Sequence, residues 1–213
     1  FLYYNSLMSI EIKKSIKPVN YFDAIDFLEK RVTKVNINDA NELIWILEHP
    51  SIFTAGTSFN ENDILDKSIK IVKTSRGGKI TWHGPGQLVC YFVINLNNRK
   101  KDIRKFLNII ENSIITSLKK FGISSYSDRK NIGIWTKINN KEKKIGAIGI
   151  RVKKWIAYHG FSVNITSSMS NYKKIIPCGI KDKEITSLKK INNQNYNKFS
   201  QEIIKNLLFN LKN

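Results

Sequence analysis

The sequence predicts an α/β (α+β) protein in which a mixed β-sheet is flanked by helices. Three observations carry that prediction. Two segments place apolar residues at helical spacing, several strand-length apolar runs stand between turn-formers, and a glycine-dense segment feeds directly into the longest of those runs. A chain of 213 residues suits one such domain or at most two small ones, and 41% hydrophobic residues are enough for an ordinary buried core. No internal repeat and no Pro/Ser linker interrupts it, so one catalytic domain over 1–213 is the economical reading.

The elements follow in order. The chain does not begin with Met; residues 1–7 read as a poorly anchored tail, with Met8 an alternative start. Tyr21 to Val35 carries apolar residues at 21, 25, 28 and 32, a helical stripe. Leu43-Ile44-Trp45-Ile46-Leu47 reads as a buried strand ended by Glu48-His49-Pro50. Ile69 to Thr74 is a short strand, and Leu88 to Leu96 a longer apolar run containing Cys90. Asp102 to Phe121 is the strongest helix. Asp102 caps it, Phe106, Ile109, Ile110, Ile114, Leu118 and Phe121 form the inward stripe, and Gly122 ends it. A β-rich section follows: Gly133 to Trp135, a turn at Asn139-Asn140-Lys141, then strands Lys144 to Val152 and Trp155 to Ile165 joined near Lys153-Lys154. A polar loop carries Cys178, and a helix from about Lys198 to Leu211 closes the chain.

The segment from Arg76 to Gln87 holds four of the chain's 11 glycines within twelve residues. It is too long and too polar to be only a hairpin turn. Glycine lets backbone approach a ligand closely, and Arg76, Thr81, His83 and Gln87 supply polar contacts. The segment lacks the Gly-Lys-Ser/Thr ending of a phosphate-binding loop and the spacing of a dinucleotide fingerprint, and it precedes a strand rather than opening a helix.

Composition excludes several classes. No apolar stretch approaches the roughly 20 residues needed to cross a bilayer, and no secretion signal is visible, so no membrane partner is expected. Two cysteines are too few for a disulfide scaffold, which points to a reducing, cytoplasmic compartment. The net charge is +19, from 36 Lys+Arg against 17 Asp+Glu. Nucleic acid, an acidic protein partner and a Lys/Asn/Ile-rich genome all fit such a charge. The basic residues are scattered and no nucleic-acid motif is present, so no nucleic-acid partner is expected.

Few residues suit chemistry. Cys178, between Pro177 and Gly179, reads as a presented thiol, although a free cysteine is usually buried and inert, as Cys90 should be. A thiol with pKa near about 8.5 needs a neighbouring cation or base to react at neutral pH. Lys144 stands where a charged stretch turns into Ile145-Gly146-Ala147-Ile148-Gly149; a lysine at such an entry can lean inward and, if partly desolvated, lower a thiol's pKa or trade protons with it. His49 and His159 read as residues that brace loops and His83 as one that lines a site. Three histidines without ligand spacing give no metal site.

Together these segments resemble lipoyl(octanoyl) transferases of lipoate biosynthesis. The matching residues are Glu42 to Pro50, Arg76 to Gln87, Lys144 to Val152, His159-Gly160-Phe161, Asn164, Pro177-Cys178-Gly179 and Ile185-Thr186-Ser187-Leu188, in that order. Trp82 and Phe161 depart from the usual residues and bear on the acyl pocket; Gly146 departs too and should loosen its strand. The resemblance implies a fold similar to the biotin/lipoate protein ligase catalytic domain. It implies that Cys178 takes octanoyl from octanoyl-acyl carrier protein as a thioester, and that Lys144 lowers the thiol's pKa. The acceptors it implies are lipoyl domains of 2-oxoacid dehydrogenases and the glycine-cleavage H protein. By the same resemblance Arg76, Gly77, Gly78, Lys79, Ile80, Thr81, Trp82, His83, Ala147, Ile148, Gly149, Gly160, Phe161 and Ser162 line the acyl site. No cofactor is implied, because thioester to amide is downhill. A monomer is expected. Two other readings stay open: an ATP-dependent lipoate or biotin ligase on the same fold, and a basic nucleic-acid-binding module.

Overall fold

The computed structural model describes residues 9–179 and 184–212, and of Cys178 the backbone alone. The expectations for residues 1–7 and Met8 lie outside the described residues.

A mixed sheet runs through the molecule. Its strands are β1 (Ile10–Lys14), β2 (Glu42–Leu47), β6 (Gln87–Asn95), β10 (Ile156–Asn164), β9 (Lys141–Lys153), β8 (Ile134–Ile138) and β7 (Tyr126–Ser127), in that spatial order. β1 lies parallel to β2, and the remaining neighbours along this path are antiparallel. A short strand, β11 (Glu184–Ile185), pairs parallel with β9 at Lys143 and Lys144. The small second sheet has the order β4 (Ile71–Lys73), β3 (Ile52–Ala55), β5 (Ile80–His83).

Helices cover both faces of the large sheet, which is why β2 and β6 read as unbroken apolar runs rather than alternating ones. Helix α1 (Tyr21–Asn36), with Asn20 Oδ1 accepting from Phe22 N at 2.9 Å, packs Leu28, Val32 and Val35 against Leu43, Trp45, Tyr91 and Val93. On the other face lie α2 (Ile103–Lys119) and α4 (Phe199–Lys212); a single further turn, α3 (Leu188–Ile191), precedes α4. Asp102 caps α2 as predicted, accepting from Lys105 N at 2.9 Å. Its stripe of Phe106, Ile110, Ile114 and Leu118 meets Phe92, Phe161, Ile203 and Leu207. Ile109 and Phe121 sit at the margin of that core, only half-buried.

β1, β3, β7 and β11 were not foreseen. β1 and β7 are short edge strands whose residues are mostly exposed or half-buried, so they carry little hydrophobic signal. The glycine-dense segment is a loop only in part, because β5 occupies Ile80–His83 and pairs with β3. Turns at Asn139-Asn140 and Lys154-Trp155 have both residues at positive φ, as two-residue hairpin turns of this twist require.

Candidate active site

The middle of the large sheet and the glycine loop enclose a cavity of about 500 Å³. The strand β9 supplies Lys144, Ala147, Ile148 and Gly149; β10 supplies Gly160, Phe161 and Ser162; the loop supplies Arg76 through Thr81 and His83. Small residues make the space. A side-chain Cβ on Gly149 would meet Gly77 O at 3.2 Å and Arg76 Cδ at 3.3 Å, so the loop rests directly on β9. Gly77 N donates to Ile150 O at 3.1 Å and Gly56 N to Lys79 O at 3.1 Å, pinning the loop to β9 on one side and to the end of β3 on the other.

Fourteen of the sixteen residues named from sequence therefore meet around one cavity: Arg76, Gly77, Gly78, Lys79, Ile80, Thr81, His83, Lys144, Ala147, Ile148, Gly149, Gly160, Phe161 and Ser162. Trp82 does not. Side chains alternate along β5, so Trp82 turns away from Thr81 and His83 into the core of the small sheet. There its Nε1 donates to Ser51 Oγ at 2.8 Å and its ring meets Tyr172 edge-on. The Cys178 side chain, and with it any distance to Lys144, lies outside the described residues. The backbone turn Pro177–Gly179 that bears it is described, and Gly179 lines the same cavity.

Lys144 is only 3% exposed and lies within β9, deeper than the strand entry expected from sequence. Its Nζ donates to Ile132 O at 2.8 Å and stands 5.3 Å from the Trp135 ring centroid. Gly133, at φ +143°, makes room for it: a Cβ there would overlap Lys144 Cε and lie 2.7 Å from Gly146 O. Gly146 is itself crowded, with Ser162 O at 3.1 Å and Ile134 Cβ at 3.3 Å from a Cβ built on it. A side chain there would need these neighbours to give by a few tenths of an ångström.

The turn bearing Cys178 is tied at its start to Asp63 and closed on itself. Ile176 N donates to Asp63 O at 2.7 Å and Gly179 N to Ile176 O at 3.0 Å. Tyr172, in the preceding turn, joins a buried network in which Gln87 Nε2 donates to Asn164 Oδ1 and to Tyr172 OH, both at 2.9 Å. Asn164 Nδ2 in turn donates to Thr186 O at 3.1 Å on the returning limb, and Thr186 N donates to Lys144 O at 2.9 Å.

One part of the wall is polar and buried. Arg76 Nη2 donates to Thr54 O and Oγ1, both at 2.9 Å. Gln87 Oε1 accepts from His83 Nδ1–H at 2.6 Å, which assigns that tautomer because Gln87 Nε2 is engaged as donor. His49 Nδ1–H donates to Val19 O at 2.7 Å, and its Nε2 accepts from Tyr91 OH at 2.8 Å, so His49 braces as expected. Burial, His49 and the Arg76 guanidinium push the His83 pKa down to about 3. Burial, Arg76 and Arg151 do the same for His159, also to about 3. Burial raises the Tyr21 and Tyr91 phenols, so both stay neutral. Cys90 is wholly buried and burial pushes its thiol up, as befits an inert core residue.

Sequence reasoning missed Tyr21, Tyr91 and His159 as lining residues. Tyr21 and Tyr91 were hidden in an amphipathic stripe and an apolar run. His159 was read as the brace of a loop, yet it lies inside β10 and faces the cavity wall. Its positive φ is invisible to pattern reading.

A buried lysine, small residues of β9 and β10 and the cysteine-bearing turn thus meet around one cavity. In fold the chain is similar to a chain from the archaeal lipoylation system of Thermoplasma acidophilum, described as a bi-partite lipoate protein ligase and its E2 lipoyl domain. The TM-score is 0.72 at 11% identity, over 96% of this chain and 85% of that one. It is similar also to the biotin protein ligase of Aquifex aeolicus solved with biotin and ATP, at TM-score 0.53 and 17% identity, over 95% and 70% of the two chains. Residues 20–208 match the lipoyl protein ligase A/B catalytic domain, and the chain belongs to that family. Among curated relatives, an octanoyltransferase of Wolbachia sp. subsp. Brugia malayi is 43% identical over 174 residues, 81% of this chain and 85% of the relative.

Proposed function

We propose that the protein takes an octanoyl group from octanoyl-acyl carrier protein onto Cys178 and passes it to the target lysine of a lipoyl domain. The class is acyltransferase, and octanoyl transfer in lipoate biosynthesis is the activity its octanoyltransferase relatives point to. The observation that supports the residue roles is that Lys144 and Gly179 line one cavity although 35 positions separate them, placing the cysteine-bearing turn and a buried ammonium at the same space.

In the first step the Cys178 thiolate attacks the thioester carbonyl, the tetrahedral intermediate collapses, and the phosphopantetheine thiolate leaves. Lys144 stabilises the thiolate electrostatically and returns the proton to the leaving sulfur. In the second step the lipoyl-domain amine attacks the enzyme thioester, the Cys178 thiolate departs, and the amine proton goes to Lys144 or water. Amide is formed from thioester without ATP. The apolar wall holds the acyl chain, each buried methylene contributing about 0.8 kcal/mol. The +19 charge draws acidic partner domains toward the site. The protein acts as a monomer in this scheme.

Intact-mass spectrometry tests it. Mixing with octanoyl-acyl carrier protein should add one octanoyl group, and apo-lipoyl domain should remove it without ATP. Cys178→Ser should abolish the adduct and Lys144→Ala should slow its formation at least about tenfold. An adduct on Cys178→Ser would remove that residue from the nucleophile role, and a strict need for ATP would transfer the reading to the ligases.

A further inference from the structure

We propose that Lys130, at the mouth of the cavity, holds the phosphate of the donor's phosphopantetheine arm while the thioester at the other end of that arm meets the cysteine-bearing turn. The proposal rests on the acyltransfer reading above and adds to it the place where the donor's anion is bound.

Among the described residues four cationic side chains line the cavity: Arg76, Lys79, Lys130 and Lys144. Arg76 and Lys144 are buried, and each donates to a backbone carbonyl of the protein itself. Lys79 and Lys130 are exposed, so an anion arriving from solvent meets these two first. Lys79 lies against the cysteine-bearing turn, where a Cβ built on Gly179 would overlap its Nζ. Consecutive Cα atoms are about 3.8 Å apart, so that ammonium stands within about 8 Å of the Cys178 Cα.

Lys130 stands farther out, on the turn between β7 and β8. The turn is tied to the site because Ile132 O accepts from Lys144 Nζ at 2.8 Å. It is also braced internally. Asp128 Oδ1 accepts from Lys130 N, and Asp128 Oδ2 accepts from Asn131 Nδ2, both at 2.8 Å. The one carboxylate of the turn therefore faces the turn's own donors. Lys130 Nζ makes no ion pair among the described residues.

Distance chooses between the two lysines. Three consecutive bonds of an extended chain span about 3.5 Å. Thirteen bonds separate the thioester sulfur of a phosphopantetheine arm from its phosphorus, so an extended arm holds the phosphate about 15 Å from the reacting sulfur. The route from Lys144 Nζ to Lys130 Nζ runs over the 2.8 Å bond to Ile132 O, two residues of about 7 Å and five side-chain bonds of about 6 Å, a reach of about 16 Å. Lys130 thus meets the phosphate of an arm whose thioester lies beside Lys144. Lys79, next to the cysteine, would meet it only if the arm folded back on itself. Leu107 and Ile132, the latter 48% exposed, line the cavity beside Lys130 and suit the dimethyl segment of the arm next to the phosphate. A lysine binds phosphate as a point charge on a flexible stem, so the contact needs no second fixed donor.

The test follows octanoylation of the enzyme by intact mass from octanoyl-acyl carrier protein, octanoyl-phosphopantetheine and octanoyl-pantetheine. Wild type is compared with Lys130→Gln and with Lys34→Gln, which removes the same charge from the exposed last turn of α1 and controls for the overall field. An exposed charge pair contributes up to about fivefold in affinity. Wild type should favour octanoyl-phosphopantetheine over octanoyl-pantetheine about three- to fivefold in kcat/KM, with the difference in KM. Lys130→Gln should bring that ratio close to one, and Lys34→Gln should keep it. A wild-type ratio of one overturns the proposal, as does a ratio kept by Lys130→Gln or lost equally in Lys34→Gln. If neither free thioester loads, the carrier decides. A KM for octanoyl-acyl carrier protein raised about threefold in Lys130→Gln but not in Lys34→Gln supports the proposal, and equal values overturn it. Failure of wild type to load octanoyl from any of the three donors strikes the acyltransfer reading itself and removes the proposal with it.

Discussion

Gly133→Ala isolates the packing around the buried lysine. The new methyl group would lie 2.7 Å from Gly146 O, part of the β9 backbone, which cannot yield without disturbing the sheet. It would also overlap Lys144 Cε and come within 2.9 Å of Nζ, so Lys144 must swing away and lose its 2.8 Å bond to Ile132 O. An alanine forced to φ +143° costs on the order of 1–3 kcal/mol. Loss of a charged hydrogen bond from a buried site adds about 1.5–3 kcal/mol. A combined loss of about 3 kcal/mol should lower Tm by about 10 °C in a chain of this size. Gly122→Ala is the matched control. Gly122 also has positive φ, +69°, but a Cβ there meets nothing within 4 Å. Its replacement should cost about 1 kcal/mol, a few degrees of Tm, and leave catalysis alone. Differential scanning calorimetry gives the stabilities, and the rate of octanoyl-adduct formation gives the effect on Lys144. The adduct rate should fall at least about tenfold for Gly133→Ala only. Equal Tm losses for the two variants, or a wild-type adduct rate in Gly133→Ala, would refute the claim that this glycine exists to seat the lysine.

Two further predictions concern charge. Glu42 is fully buried, with its carboxylate accepting from Arg99 Nη1 at 2.5 Å, Arg99 Nη2 at 2.7 Å and Asn95 N at 2.7 Å. Arg99→Ala leaves that carboxylate without its countercharge and should cost about 2–4 kcal/mol by urea unfolding, the range reduced because Arg99 is partly solvated; a loss under about 1 kcal/mol would contradict it. His83 and His159 have folded pKa values lowered to about 3 from 6.5, so the unfolded chain binds protons that the fold refuses. Their contribution is complete above pH 6.5 and is lost as pH falls from 6.5 toward 3, by at most about 1.4 kcal/mol per pH unit for each. Urea midpoints should therefore fall between pH 7 and pH 5, and the fall should be shallower in His159→Asn; a flat profile would show that these rings charge freely in the fold.

The sequence made the main strands and both long helices legible because their apolar periodicity is strong and both sheet faces are covered. The order of strands was not legible. Nothing in the spacing of Leu88 to Leu96 says that it lies between β2 and β10, because that order depends on pairing across tens of residues. The site residues were legible through motifs, and Trp82 marks where motif reading stops. It sits among lining residues in sequence, but the two-residue period of β5 sends it to the other side. His159 fails for a different reason. It lines the cavity from a position of positive φ inside β10, which only the backbone angles reveal.

One side chain, Asn164, ties together the two limbs that flank the cysteine-bearing turn. Its Oδ1 accepts from Gln87 Nε2, which also reaches Tyr172 OH on the incoming limb, while its Nδ2 donates to Thr186 O on the outgoing limb. Thr186 N is bonded to Lys144 O, so the same limb is tied to the lysine strand. Asn164→Asp keeps the shape and the acceptor oxygen but sets a second oxygen against Thr186 O. One tether is replaced by repulsion while the cavity walls stay as they were, and the buried mismatch should cost about 1–3 kcal/mol. Amide exchange should quicken at Tyr172–Ile176 and at Glu184–Leu188, with little change in α2. Formation of the octanoyl adduct should slow by tenfold or more, and the slowing should appear in kcat rather than KM, because the residue orients the turn without touching the acyl chain. Unchanged exchange at both limbs, or an effect confined to KM, would mean that the turn holds its place without Asn164.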